Sequence, residues 1–189
     1  LDARLHRMCA NVFKTAIEAA HAITEDLIER NQLLSEKGYH HQVRVTPSTS
    51  LLFLQKDGQR RALQLSDSGF TLSDGEVLNR NKIFNQLNES PETITPNVFL
   101  RPVMQDALLP TIAYVGGPSE LAYLAQAGPV YRRILGRMPV LLPRASFTIA
   151  DRSTIRILEK YGLTISDVFA GQQALQEKMA AKYFPPDLT

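Results

Sequence analysis

Cysteine is nearly missing from this 189-residue chain: Cys9 stands alone. No internal disulfide can form, and a reducing, cytoplasmic setting is expected. Charge of one sign is not in excess either, with 21 Lys and Arg against 19 Asp and Glu for a formal net charge of +2. The electrostatic footprint of a nucleic-acid binder is therefore absent, and no nucleic-acid partner is expected. No apolar run approaches the roughly 18 residues of a membrane span, and no basic, apolar, small-residue signal opens the chain, so no membrane association is expected. His6, His21, His40 and His41 form neither an HExxH pattern nor a regular Cys/His spacing, and no metal is expected. Internal repeats and low-complexity tracts are also lacking. The chain opens on Leu1 with a helical pattern already running, which reads as a piece of something longer.

What is present is a globular composition, 44% hydrophobic and 21% charged. Chains of this size bury roughly two thirds of their unfolded surface. Residues 1–37 carry Leu5, Met8, Val12, Ala16, Ala19, Ile23, Leu27 and Leu34 at spacings of three, four and seven, which predicts a long helical connecting segment ended by Gly38. Alternating apolar residues on either side of Asp57-Gly58 predict a hairpin, and Phe70 and Leu72 a further short strand. Ser73 and Glu76 have capping-box spacing and predict a helix through Val77, Ile83 and Leu87. From Thr95 on, strand and helix alternate. Short strands are expected at 97–100, 111–115 and 139–143, and helices at 102–109, 119–126, 130–135 and 151–161, the last stopped by Gly162. Strand, Gly/Pro loop and helix in succession predict an α/β fold with a mostly parallel sheet, the hairpin forming an antiparallel edge. A final helix over 171–183 is cut off by Phe184-Pro185-Pro186.

The most informative local run is Tyr114-Val115-Gly116-Gly117-Pro118-Ser119-Glu120. Two glycines at a strand end let backbone amides approach a ligand, and the helix that Pro118 opens turns its positive end toward an anion. This is also where open α/β sheets bind ligands. The same residues make an ordinary tight turn, and the sequence leaves both readings open. It is not a P-loop, since no Lys follows the glycines, nor a dinucleotide fingerprint. Ser119 is suited to donate to an anion but lacks the surroundings of a nucleophile elbow. Glu120 is suited to orient an amine, accept a proton or complement the helix dipole, and Tyr123 shares the face of Ser119. Arg101 and Arg144, each beside a proline, offer guanidinium forks for carboxylate or phosphate. Asn97 reads as turn former, helix cap or substrate contact.

Three blocks, residues 96–106, 109–123 and 138–146, resemble the bacillithiol biosynthesis cysteine-adding enzyme family in order and content. The resemblance extends over roughly Gly38 to Leu175. It implies a Rossmann-like core, of which 38–170 is the C-terminal part, flanked by the 1–37 segment and by 171–189 as the start of a coiled-coil arm. The activity it implies is joining L-cysteine to glucosaminyl-malate to complete bacillithiol, in a cytoplasmic enzyme that dimerises through its coiled coil. ATP or ADP is the implied nucleotide, because amide formation from a carboxylate must be driven. The site residues it implies are Glu120 and Arg101 for catalysis, Glu120 as the first choice of general base. Asn97, Arg101, Gly116, Gly117, Pro118, Tyr123 and Arg144 follow for binding, with Ser119 standing where many relatives have glycine. A nucleotidyl- or glycosyl-transferase on a similar core, and a non-catalytic scaffold, are the competing readings.

Overall fold

The opening helical pattern folds as three helices instead of one. In the computed structural model, which describes residues 3–183, these are α1 (Ala3–Met8), α2 (Ala10–Glu18) and α3 (Ala20–Glu36), broken at Cys9 and Ala19. The breaks change the phase of the apolar stripe. Cys9, Val12, Phe13, Ala16, Ile17, Ile23 and Leu27 enter the core, whereas Met8 is left 72% exposed. Cys9 is packed, its Sγ lying 3.7 Å from the Met104 carbonyl, and burial pushes its thiol above the ordinary range.

The sheet corrects the parallel expectation. Strands β1 (Thr49–Lys56), β2 (Gln59–Ser66), β3 (Gly69–Thr71), β4 (Val77–Leu78) and β5 (Ile94–Pro96) form one antiparallel sheet in the order β4-β3-β2-β1-β5. The connections between β1, β2, β3 and β4 are too short to return the chain parallel to itself, since a parallel crossover needs a dozen or more residues, and β5, reached through a helical connection, also pairs antiparallel with β1. The hairpin is therefore the middle of the sheet and not its edge. Its turn is the expected one: Asp57 and Gly58 both take positive φ, 51° and 70°, and Lys56 pairs with Gln59. Val77 and Leu78 are strand, so the helix α4 (Arg80–Glu89) starts later than the Ser73/Glu76 pattern predicts, with the Asn79 side chain accepting from the Lys82 N–H.

Among the described residues only one pair of strands is parallel. β6 (Ala113–Gly116) and β7 (Val140–Pro143) align Ala113 with Val140 and Gly116 with Pro143, joined by the 18-residue helix α6 (Pro118–Leu135). This βαβ unit is where the α/β reading holds. The two helices expected at 119–126 and 130–135 are one, although Pro129 lies inside it. A proline there leaves the carbonyl four residues back without its helical donor. Arg30 of α3 supplies one: its Nε donates to the Ala125 carbonyl at 2.8 Å. Replacing Arg30 by alanine should therefore destabilise the fold by about 1–2 kcal/mol, the scale of one unmet acceptor. Equilibrium denaturation checks this, and the loss should shrink when Pro129→Ala is added.

Helix α5 (Leu100–Leu108) precedes β6, and Asp106 on it is 2% exposed. Its carboxylate accepts from the Thr111 N–H at 2.6 Å and from both Arg137 amino groups at 3.0 and 3.1 Å, pinning the approach to β6 against the end of α6.

The chain divides at Arg144 and Ala145, and the second unit carries α7 (Arg152–Tyr161), α8 (Ile165–Phe169) and α9 (Gln172–Tyr183). Gly162 ends α7 in the left-handed conformation, as expected. Asp167 caps α8 with Thr164 and pairs with Lys178 of α9, and these partners pull its carboxyl down to about 2. No coiled coil is found among the described residues: α9 is a single helix of 12 residues, less than two heptads. The expected stop at Phe184-Pro185-Pro186 lies outside them.

Candidate functional site

At the C-terminal end of the parallel pair, β6 runs into Gly116-Gly117 and β7 into Arg144, whose N–H donates to the Gly116 carbonyl at 2.8 Å. The chain then turns into α6 through Pro118, which fits the first helical turn because its missing N–H would have no partner there. Successive strand residues face opposite ways, so Tyr114 and Gly116 share the face on which α6 lies. That pleat brings Tyr114 beneath the loop.

Four residues from three elements converge here. The Glu120 carboxylate accepts from the Gly117 N–H at 2.8 Å (Oε2), from the Tyr114 hydroxyl at 3.0 Å (Oε1) and from Arg144 Nη2 at 3.4 Å (Oε2). The bond to Gly117 is half of a capping box, as glycine has no side chain to reciprocate. These donors, Gly117 first and Tyr114 next, hold the Glu120 carboxyl below the ordinary carboxylate range. Burial, with Glu120 and Tyr123 nearby, pushes the Tyr114 phenol up to about 12, so it stays a donor at neutral pH. A carboxylate held this way is an ionised acceptor near neutrality and a weak proton base.

Gly117 is required by close approach. A Cβ there would lie 2.5 Å from Arg144 Nη2, so only a bare backbone lets the guanidinium rest on the turn. Gly116 is buried between Tyr114, Glu120 and Leu121. Pro118 and Ser119 are exposed at the head of α6, Tyr123 is half-buried, and Arg144 is exposed.

Asn97 and Arg101 stand apart from this cluster, with no hydrogen bond or ion pair joining them to it among the described residues. Asn97 is a structural cap: its Oδ1 accepts from the N–H groups of Phe99 and Leu100, and its Nδ2 donates to the Ser50 carbonyl. The strand expected at 97–100 lies instead at Ile94–Pro96. Arg101 borders a cavity of about 620 Å³ whose walls include Leu5, Met8, Met104 and Leu108. Sequence reasoning passed over Tyr114, although its place two residues before Gly116 puts it on the loop's face. Among the described residues no group of three or more His, Cys, Asp or Glu could hold a metal, and no helix is long and apolar enough to cross a membrane.

Comparison with known proteins places residues 1–145 in a match to the family described as bacillithiol biosynthesis BshC, N-terminal Rossmann-like domain. The match begins with the helices, well before the Gly38 start of the resemblance. The chain is 44% identical over 187 residues to a protein of Koribacter versatilis, covering 99% of this chain and 35% of that protein. It is 41% identical over 183 residues to one of Solibacter usitatus (96% and 34%) and 41% identical over 176 residues to one of Salinibacter ruber (92% and 32%). All three carry the name "Putative cysteine ligase BshC". The chain spans about a third of the length of these relatives.

Proposed function

Because the chain belongs to the BshC family of bacillithiol biosynthesis, we propose that it supplies a substrate-holding part of a cytoplasmic cysteine ligase, which joins the carboxyl group of L-cysteine to the amine of glucosaminyl-malate. The observation that carries this reading is the convergence of Tyr114, Gly117, Glu120 and Arg144 at the C-terminal end of the βαβ unit, where α/β sheets bind ligands. In this reading Arg144 and Ser119 receive acidic groups of substrate. Glu120 fixes the turn and offers a negative charge. Tyr114 holds Glu120 from below, and Tyr123 lies beside Tyr114. Asn97 serves as the cap of α5, and the chemistry assigned to the turn does not pass through Arg101.

Forming the amide bond removes one oxygen from the cysteine carboxyl, and acylation through an acyl phosphate or adenylate accomplishes this; ATP is the proposed donor. The 116–120 turn does not fit nucleotide phosphates. The Gly117 N–H is already donated to Glu120, Pro118 has none, no Lys follows the glycines, and the Glu120 charge faces the same space. No nucleotide step is assigned to these residues.

The test uses full-length protein incubated with L-cysteine, glucosaminyl-malate and ATP, each omitted in turn, with products followed by mass spectrometry. Bacillithiol formed only with all three supports the ligase, and ADP or AMP identifies the activation route. Nucleotidyl or glycosyl transfer without cysteine dependence would replace it with the transferase reading.

A further inference from the structure

Resting on the ligase reading, we propose that Glu120 and Arg144 are the two poles of a seat for an α-amino acid, Glu120 taking the ammonium group and Arg144 the carboxylate of L-cysteine. The end of the parallel pair would then select a zwitterion over a nucleotide phosphate or a dicarboxylate that carries no ammonium.

The argument starts from opposite charges held side by side at an open strand end. Arg144 Nη2 and Glu120 Oε2 are 3.4 Å apart, a long contact between groups with 64% and 36% of their side-chain surface exposed. An α-amino acid carries its two charges on either side of one carbon, a comparable spacing, and presents them in the complementary order. Donor and acceptor accounting leaves room for both. A guanidinium has five N–H donors, and Arg144 uses one weakly on Glu120. An ionised carboxylate has roughly four acceptor positions, and Glu120 fills three, with Gly117, Tyr114 and Arg144. One remains for an ammonium N–H, and a second opens when Arg144 turns to a ligand carboxylate.

The two poles differ in anchoring, and that sets the order of events. Glu120 is fixed from below by Tyr114 and at the turn by Gly117, whereas among the described residues the Arg144 guanidinium is bonded to Glu120 alone and rests over a residue without a side chain. Glu120 therefore stays in place and Arg144 moves to the carboxylate. A phosphate, or a dicarboxylate that carries no ammonium, would satisfy Arg144 but meet the fixed negative charge of Glu120 with nothing to offer it.

Calorimetric titration of full-length protein under reducing conditions reads the seat without turnover, using L-cysteine, cysteamine (no carboxylate) and 3-mercaptopropionate (no ammonium). Wild type should prefer L-cysteine to each analogue by about tenfold to a hundredfold, the scale of one charge-assisted hydrogen bond. Arg144→Ala should erase the preference over cysteamine only, and Glu120→Gln the preference over 3-mercaptopropionate only. Arg144→Lys should keep part of it. Unchanged cysteine discrimination in both variants, or loss of glucosaminyl-malate or ATP affinity in place of cysteine affinity, would overturn the seat. If cysteine binds as described and no bacillithiol forms, the seat stands and the ligase reading fails. If bacillithiol forms with wild-type cysteine KM in both variants, the ligase reading stands and the seat fails.

Discussion

Alanine at position 106 is expected to destabilise the protein by about 2–4 kcal/mol, the largest single effect on folding that the structure implies. The Asp106 carboxylate is almost wholly buried and accepts three hydrogen bonds, one from the Thr111 backbone and two from Arg137. Removing it strands the Thr111 N–H. Arg137 is 46% exposed and can return to water, which keeps the loss below that of a fully buried charge left alone. The effect should also be local. Arg137 holds the Thr111 carbonyl as well, so the triad sets the distance between the end of α6 and the start of β6. Hydrogen exchange at β6 and β7 should rise most, while the β1–β2 hairpin stays protected. Asp106→Asn keeps an acceptor for Thr111 and should lose less. Urea denaturation of the variants beside wild type checks the order wild type, Asn, Ala; equal midpoints would show that the triad contributes nothing to stability.

The second large effect falls on activity and leaves the fold alone. Gly117 has φ −74° and ψ 170°, a conformation open to any residue, so alanine introduces no backbone strain. Its Cβ would nevertheless lie 2.5 Å from Arg144 Nη2. The atom displaced is the end of a flexible side chain, so Arg144 moves and the turn does not. Gly117→Ala should thus unfold at the wild-type temperature or slightly above it, because alanine restricts the unfolded chain. Its cysteine KM in full-length protein should rise about tenfold or more, matching Arg144→Ala, and the two changes together should be no worse than one. Wild-type kinetics in Gly117→Ala would show that the resting place of Arg144 has no role.

Both effects arise where the sequence was only partly legible. The hairpin could be read because Asp57-Gly58 takes a backbone conformation few other pairs favour. The βαβ unit could be read because a β-branched strand, two glycines and a helix-opening proline follow one another. Extending that pattern to the whole sheet failed: the directions of β1 to β4 are set by the short lengths of their connections, and strand-helix alternation from Thr95 on says nothing about them. The sequence divides α6 into 119–126 and 130–135, since local propensity cannot foresee Arg30, 95 residues from Ala125 in sequence, meeting the carbonyl that Pro129 leaves free. Ser73/Glu76 looked like a cap because the spacing is right, yet the residues after it complete a sheet edge instead.

At the site, the glycine turn, Glu120 and Arg144 were legible as strand-end chemistry, and their meeting is geometric. Tyr114 was overlooked because a strand tyrosine reads as core, and only the pleat aims its hydroxyl at Glu120. Asn97 and Arg101 carry the right chemistry for substrate but lie at the start of α5, away from the turn: the first caps that helix, and the second borders a cavity beside α1.

The most direct test of the central claim, that the end of the β6–β7 pair holds substrate for a cysteine ligase, is the rate of bacillithiol formation by full-length wild type and by Glu120→Gln and Arg144→Ala, each with its unfolding temperature. A fall of about tenfold or more at limiting cysteine in both variants, with unfolding temperatures unchanged, is the predicted result. Wild-type rates in both folded variants would contradict it.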